Sequence, residues 1–222
     1  MHHHRSRSAY LVWSLTLMVL LAPFFVETPH LSHHLIARIL ITIGLAAGVY
    51  AVSHDRGHLI LCGILMLATV VLSLCMIWWP VRAMIIANLI LGAVLYFVLA
   101  LLLVQHIMRT RRVTADTIYT SVAGYQLLVA GWAALYLLVA VVEPGSFTGN
   151  LHPHPPLPFN FFEALYFSTT TLTSVGYGDI IPVSPMARAL AVVEMWMGAL
   201  YPAVLIARLV GMYSGPSETG SI

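Results

Sequence analysis

A chain of 222 residues is long enough for one or two soluble domains. Its composition excludes that: 60% is AVILMFWYC and 8% is charged, against about 25% charged in soluble globular proteins, and the mean hydropathy is +0.91. The net charge of +2 rests on ten arginines and no lysine, too small and too dispersed for a nucleic-acid partner.

A hydrocarbon layer about 30 Å thick takes about 20 apolar helical residues, and six runs approach or exceed that length: 9–26, 34–53, 57–79, 82–108, 117–142 and 186–212. The first follows Arg5 and Arg7 and resembles a secretory signal, but Ala22-Pro23-Phe24-Phe25 is a poor cleavage context, so the run is expected to remain as a span. The second contains a G-x-x-x-G, Gly44 to Gly48, that suits close packing of another helix in the same bundle. The third holds Cys62 and Cys75, about 20 Å apart along a helix and unable to bridge each other. Trp78-Trp79-Pro80 closes it at an interface. The fourth has no arginine between Arg82 and Arg109, whereas a voltage sensor needs several gating charges. If all six runs span, Arg5, Arg7, Arg56 and the cluster Arg109, Arg111, Arg112 fall on one side, with Arg82 and Arg188 on the other. The positive-inside rule then puts both termini in the cytoplasm of a multi-pass plasma-membrane protein.

Between the fifth and sixth runs the sequence changes character. Glu143-Pro144-Gly145 ends a helix, and Pro153, Pro155, Pro156 and Pro158 forbid one in the external loop. Asn160 is then a good N-cap, with Glu163 three residues on in a capping-box arrangement, for a helix over 161–173. At about 1.5 Å per residue this helix reaches only about 20 Å, too short to cross. It enters the membrane and stops at Leu172-Thr173-Ser174-Val175-Gly176-Tyr177-Gly178-Asp179, where two glycines bracket a tyrosine and permit positive φ. Irregular backbone at that depth is tolerated only inside protein or beside water. Residues alternating in handedness would turn successive carbonyls to one side, where a ring of them replaces the hydration shell of a monovalent cation.

Thr173-Ser174-Val175-Gly176-Tyr177-Gly178-Asp179 resembles the selectivity-filter signature of potassium channels, members of the tetrameric cation channel superfamily. Ala164-Leu165-Tyr166-Phe167-Ser168 is similar to that family's pore helix, and Gly198 stands twenty residues after Gly178, where the inner helix often has a hinge glycine. The resemblance covers about 116–213. Together with the six apolar runs it implies an all-α membrane protein of six transmembrane helices plus one re-entrant pore helix and a selectivity-filter loop. Residues 1–113 would be a four-helix bundle in the voltage-sensor position without gating charges, 114–215 the pore domain and 216–222 a short cytoplasmic tail. One chain has one such loop, so the resemblance implies a homotetramer. It also implies backbone carbonyls of Val175, Gly176, Tyr177 and Gly178, with the Ser174 hydroxyl in place of the usual threonine, as the potassium ligands. No other cofactor and no catalysis are expected.

Around this filter the resemblance assigns supporting roles to Thr173 and to Asp179 at the outer mouth, with Tyr166 as its hydrogen-bond donor. Thr170 stands where some bacterial members have an acid. Thr169 and Thr171 are read as satisfying their own helix. Glu194, ionisable inside a span, is read as bonding pore-helix hydroxyls behind the filter, with a cavity-facing role as the second choice. Gly198 is either a hinge or a packing glycine; Pro202 bends the inner helix in both cases. Ala199, Pro202 and Ile206 are candidate cavity-lining positions. Arg109, Arg111 and Arg112 are topology determinants or a seat for anionic lipid. His54, His58, His106, His152 and His154 are interfacial or pH-sensing, and His152-Pro153-His154 offers zinc two ligands without a third. Two rival functions fit parts of the pattern: a weakly selective cation channel, through Ser174, and an intramembrane aspartyl protease, through Gly176-Tyr177-Gly178-Asp179. The protease needs a second aspartate at the same depth, and Asp55 and Asp116 lie at cytoplasmic helix ends.

Overall fold

The computed structural model describes residues 7–21, 46, 49, 56–110, 113–149 and 159–213. In chain order these form α1 (Arg7–Leu21), α2 (Arg56–Trp78), α3 (Arg82–Arg109), α4 (Ala115–Val142), β1 (Phe147–Gly149), α5 (Phe161–Leu172), β2 (Ile180–Pro182) and α6 (Pro185–Tyr213). Helices α2, α3, α4 and α6 are long and apolar enough to cross a bilayer, and α1 is a shorter apolar helix. They coincide with the first and the third to sixth expected runs. The second run, with Gly44 and Gly48, lies outside the described residues. So do His54, His152, His154, Arg111, Arg112, the external prolines and the tail 216–222.

Helix α4 is the hub. Residues 110–114 connect it to α3, and so short a link makes the two helices antiparallel neighbours. Their ends agree: Nη2 of Arg82, at the start of α3, donates to the carbonyls of Val141 (2.9 Å) and Val142 (3.1 Å), at the end of α4. Between the ends, Gly131 lets the Phe97 ring approach; a Cβ there would lie 3.2 Å from it. Phe97 packs edge-on to Trp132 with centroids 5.7 Å apart. Helix α4 starts two residues before the apolar run because Thr114 caps it: its hydroxyl accepts from the Thr117 N–H while the Thr117 side chain accepts from the Thr114 N–H.

Polar side chains inside the apolar spans bind helix to helix, as they must where no water competes. Thr120 donates to Ser8 Oγ (2.8 Å) and Gln126 to Thr16 Oγ1 (2.9 Å), fastening α1 to α4. At the end carrying the α3 C-terminus, Nη2 of Arg208 on α6 donates to the carbonyls of Met108 (3.0 Å) and Thr110 (3.1 Å). A cation on those free carbonyls also complements the negative end of the helix dipole.

The described residues are not purely helical. Strands β1 and β2 pair antiparallel, Phe147 opposite Pro182, Thr148 opposite Ile181 and Gly149 opposite Ile180. Three residues give too little alternation to read from sequence, but Phe147 and Ile180 are buried and both segments are free of helix. The pairing joins the chain just before the re-entrant segment to the chain just after it.

Candidate functional site

The re-entrant segment is built from its cap inward. Asn160 Oδ1 accepts from the N–H of Phe162 (2.8 Å) and of Glu163 (3.0 Å), starting α5. An aromatic cluster fixes this end: Phe159 stacks on Phe147 with centroids 4.3 Å apart, and Phe167 meets Tyr136 edge-on at 4.9 Å. Twelve residues carry the helix about 18 Å, to Leu172. Its hydroxyls bond back along it: Thr169 to the Leu165 carbonyl (2.7 Å), Thr170 to Phe167 (3.0 Å) and Thr173 to Thr169 (2.6 Å).

Beyond Leu172 the main chain folds its N–H groups back on the helix end. Ser174 N–H donates to the Thr171 carbonyl (3.0 Å), and the N–H groups of Val175 (2.9 Å) and Gly176 (3.1 Å) share the Thr170 carbonyl. Positive φ occurs at Ser174 (59°), Gly176 (53°) and Gly178 (75°), but not at Val175 or Tyr177. Handedness therefore alternates over five residues. Among the described residues, no backbone hydrogen bond ends on the carbonyls of Val175, Gly176 or Tyr177. The strand is open on its outer side, with Val175 53% and Tyr177 72% exposed. Ser174 holds the left-handed conformation without being glycine, which a β-branched residue tolerates worse.

Asp179 ends this strand. Its Oδ2 accepts from the Tyr166 hydroxyl (2.6 Å) and its Oδ1 from the Ile180 N–H (3.0 Å). The Tyr166 ring lies nearly parallel to that of Tyr177, centroids 6.4 Å apart. The Tyr166 phenol is the donor of the hydrogen bond to Asp179. Tyr166→Phe removes that donor and leaves the ring in place. Thermal unfolding of the purified protein is expected to show a loss of about 1 kcal/mol per chain, the ordinary worth of such a bond; an unchanged melting temperature would mean that Tyr166 does not hold Asp179.

Behind the strand stands α6. Ala187, Ala191, Glu194 and Gly198 form one buried face of it, following helical spacing. Glu194 is fully buried. Its Oε2 accepts from the Tyr136 hydroxyl (2.5 Å) and its Oε1 from Ser168 Oγ (2.6 Å), which also lies 3.0 Å from the Val129 carbonyl. A Cβ on Gly198 would lie 1.9 Å from the Leu172 carbonyl oxygen, so Gly198 is the point of closest approach between α6 and α5. Pro202 is inside α6 and lacks the N–H that would reach the Gly198 carbonyl. Ala199, Pro202 and Ile206 are exposed.

The structure thus brings Thr170, Thr173–Asp179, Tyr166, Glu194 and Gly198 into one assembly. Asp116 stands apart at the start of α4, about 40 Å along that helix from the end that leads into β1. Asp179, beside the β1–β2 pair, therefore has no such partner in Asp116, and the two-aspartate geometry of a protease is not formed by this pair. Arg109 is exposed at the end of α3. No group of three or more potential metal-ligating side chains occurs among the described residues. Ser168 is a hydroxyl of the helix where the sequence looked for a partner of Glu194; sequence reasoning missed Tyr136 of α4. The signal was present: three polar side chains within apolar helices have to pair.

Comparison with known proteins places this assembly in context. Residues 127–214 match the family described as "Ion channel". Protein LctB of Bacillus caldotenax is 31% identical over 122 residues, 54% of this chain and 90% of that protein. Two pore potassium channel c of Oryza sativa subsp. japonica is 30% identical over 84 residues, 38% of this chain and 18% of that protein. The calcium-gated potassium channel TvoK of Thermoplasma volcanium is 46% identical over 39 residues, 18% of this chain and 11% of its own length. No solved structure matches the chain.

Proposed function

This chain belongs to the ion channel family, and from that premise we propose that four copies of it form a potassium-selective pore. The observation that carries the reading is the alternation of handedness over 174–178, with no backbone hydrogen bond from the described residues on the carbonyls of Val175, Gly176 and Tyr177. Peptide units alternating in this way direct successive oxygens to one side of the strand. One strand offers one oxygen at each level, and a dehydrated cation needs several. A fourfold ring of Val175, Gly176 and Tyr177 carbonyls, with the Ser174 hydroxyl inside, supplies them. Similarity to proteins named as potassium channels supports potassium as the ion.

Asp179, held by Tyr166, stands at the outer mouth, and the exposed face of α6 with Ala199, Pro202 and Ile206 lines the water-filled approach. Gly198 and Pro202 lie where the inner helix would bend on opening. Both termini lie in the cytoplasm of a plasma membrane, and Arg109, Arg111 and Arg112 meet anionic headgroups there. Helix α3 has no arginine between its two ends, and each gating charge contributes about 2.3 kcal/mol per 100 mV, so the current depends weakly on voltage.

The test is flux through liposomes containing this chain alone, with reversal potentials under potassium–sodium gradients. A potassium-following reversal potential and a shallow conductance–voltage curve are expected. Equal sodium and potassium permeability would favour the weakly selective reading, absence of flux would refute conduction, and a steep curve would refute voltage independence.

A further inference from the structure

We propose that Tyr136, Glu194 and Ser168 form a clamp that positions the filter, and that it acts through hydrogen bonding rather than through the charge of Glu194. The proposal deepens the potassium-channel reading and rests on it.

Helices α4, α5 and α6 meet at one side chain. Glu194 is fully buried, receiving Tyr136 of α4 on one oxygen and Ser168 of α5 on the other. One turn further along the same face of α6, Gly198 touches the Leu172 carbonyl. Thr170 lies on α5 between these two contacts, and its carbonyl receives the N–H groups of Val175 and Gly176. A shift of α6 against α4 therefore displaces Ser168 and Leu172 together. It carries with them the carbonyl that sets the orientation of two filter peptides. The clamp is the lateral tie and Gly198 the contact that keeps α5 at one distance from α6.

Hydrogen-bond bookkeeping separates geometry from charge. The Ser168 hydroxyl has a single hydrogen but two acceptors in reach, Glu194 Oε1 at 2.6 Å and the Val129 carbonyl at 3.0 Å. A glutamine at 194 completes the set: its oxygen accepts from Tyr136, its amide N–H donates to Ser168 Oγ, and the serine hydrogen is released to Val129. A leucine fills similar volume but leaves the hydroxyls of Tyr136 and Ser168 without their shared partner. These three are positioning residues: they touch no ion and act through the Thr170 carbonyl.

The experiment reads ion binding in the filter, which a purely structural role would not alter once the protein has assembled. Purified wild-type chain and variants are reconstituted in bilayers and their potassium currents blocked with barium, a divalent ion of nearly potassium's size that lodges among the same oxygens. Sodium permeability is measured in parallel. Glu194→Gln is expected to keep barium affinity within about twofold, whereas Tyr136→Phe and Ser168→Ala each weaken it by about fivefold, the scale of one lost buried hydrogen bond. The Tyr136→Phe/Ser168→Ala double variant should do little more than either single one, because one clamp is broken only once. Tyr136→Phe and Ser168→Ala keep the shape of the interior, so they decide the matter even where Glu194→Leu fails to assemble. Wild-type barium block and permeability in both single variants and the double would overturn the clamp. Damage in Glu194→Gln equal to that in Glu194→Leu would overturn its independence of charge. A wild-type chain that passes no potassium defeats the parent reading as well, whereas a conducting wild type with unaltered variants defeats the clamp alone.

Discussion

Gly176→Ala is expected to abolish potassium flux while leaving the chain folded in the membrane. Gly176 has a φ of 53°, in the left-handed region, and a Cβ there meets nothing within 4 Å in its own chain. The cost is therefore conformational, about 1–2 kcal/mol for an L-residue. The proposed fourfold ring would incur it four times, about 4–8 kcal/mol in all, enough to drive the strand to negative φ instead. That turn breaks the hydrogen bond from the Gly176 N–H to the Thr170 carbonyl and swings its peptide plane out of line with its neighbours. Val175→Ile supplies the contrast. Val175 does not have positive φ, so a larger β-branched side chain there leaves the backbone as it is, and flux should persist. Flux assays on proteoliposomes, with size-exclusion chromatography to confirm assembly, distinguish the two. A conducting Gly176→Ala would remove the alternating main chain from any role in ion binding.

The second large effect is at Gly198. An alanine Cβ would lie 1.9 Å from the Leu172 carbonyl oxygen and 2.7 Å from its carbon. Both atoms are backbone, so neither can rotate aside, and α6 has to withdraw from α5. Overpacking of this kind costs about 1–3 kcal/mol, and more where the neighbours are rigid. Withdrawal also stretches the bond from Ser168 to Glu194 one turn away. Gly198→Ala is expected to lower the unfolding temperature and to raise sodium permeability in whatever assembles, with Gly198→Val worse. A glycine serving only as a hinge would behave differently: alanine would leave stability intact and change only the fraction of time the pore is open. Thermal unfolding followed by reversal-potential measurements separates the two roles.

Much of this architecture is legible in the residues. The apolar runs and their arginine and proline punctuation mark the long helices to within about two residues, since a bilayer imposes both length and composition. Asn160 marks the start of α5 because a side-chain acceptor is needed where backbone N–H groups have no partner. The glycines at 176 and 178 signal left-handed backbone, but Ser174 does not; its φ of 59° comes from the turn around it. Contacts distant in sequence are where reading stops. Glu194 stands out as an ionisable residue within a span, yet nothing local names Tyr136, 58 residues away, as its donor. Gly198 reads equally as hinge or contact until Leu172 is seen against it. The β1–β2 pair is invisible because three-residue strands take their stability from the residues they join.

The short 110–114 connection has a consequence for biogenesis. It is too brief for α4 to seek out the α3 of another subunit, so the long pair zips together as the chain leaves the insertion machinery. Arg82 then ties the start of α3 to the end of α4, and Arg208 ties α6 to the other end of α3. In the proposed tetramer each subunit would then be folded before it met a sibling, and the final event would be lateral collision of finished units. They would join through the bare flank bearing Trp196 and the strand bearing Tyr177. Sparse synthesis would then leave the cell with intact but silent subunits rather than misfolded ones.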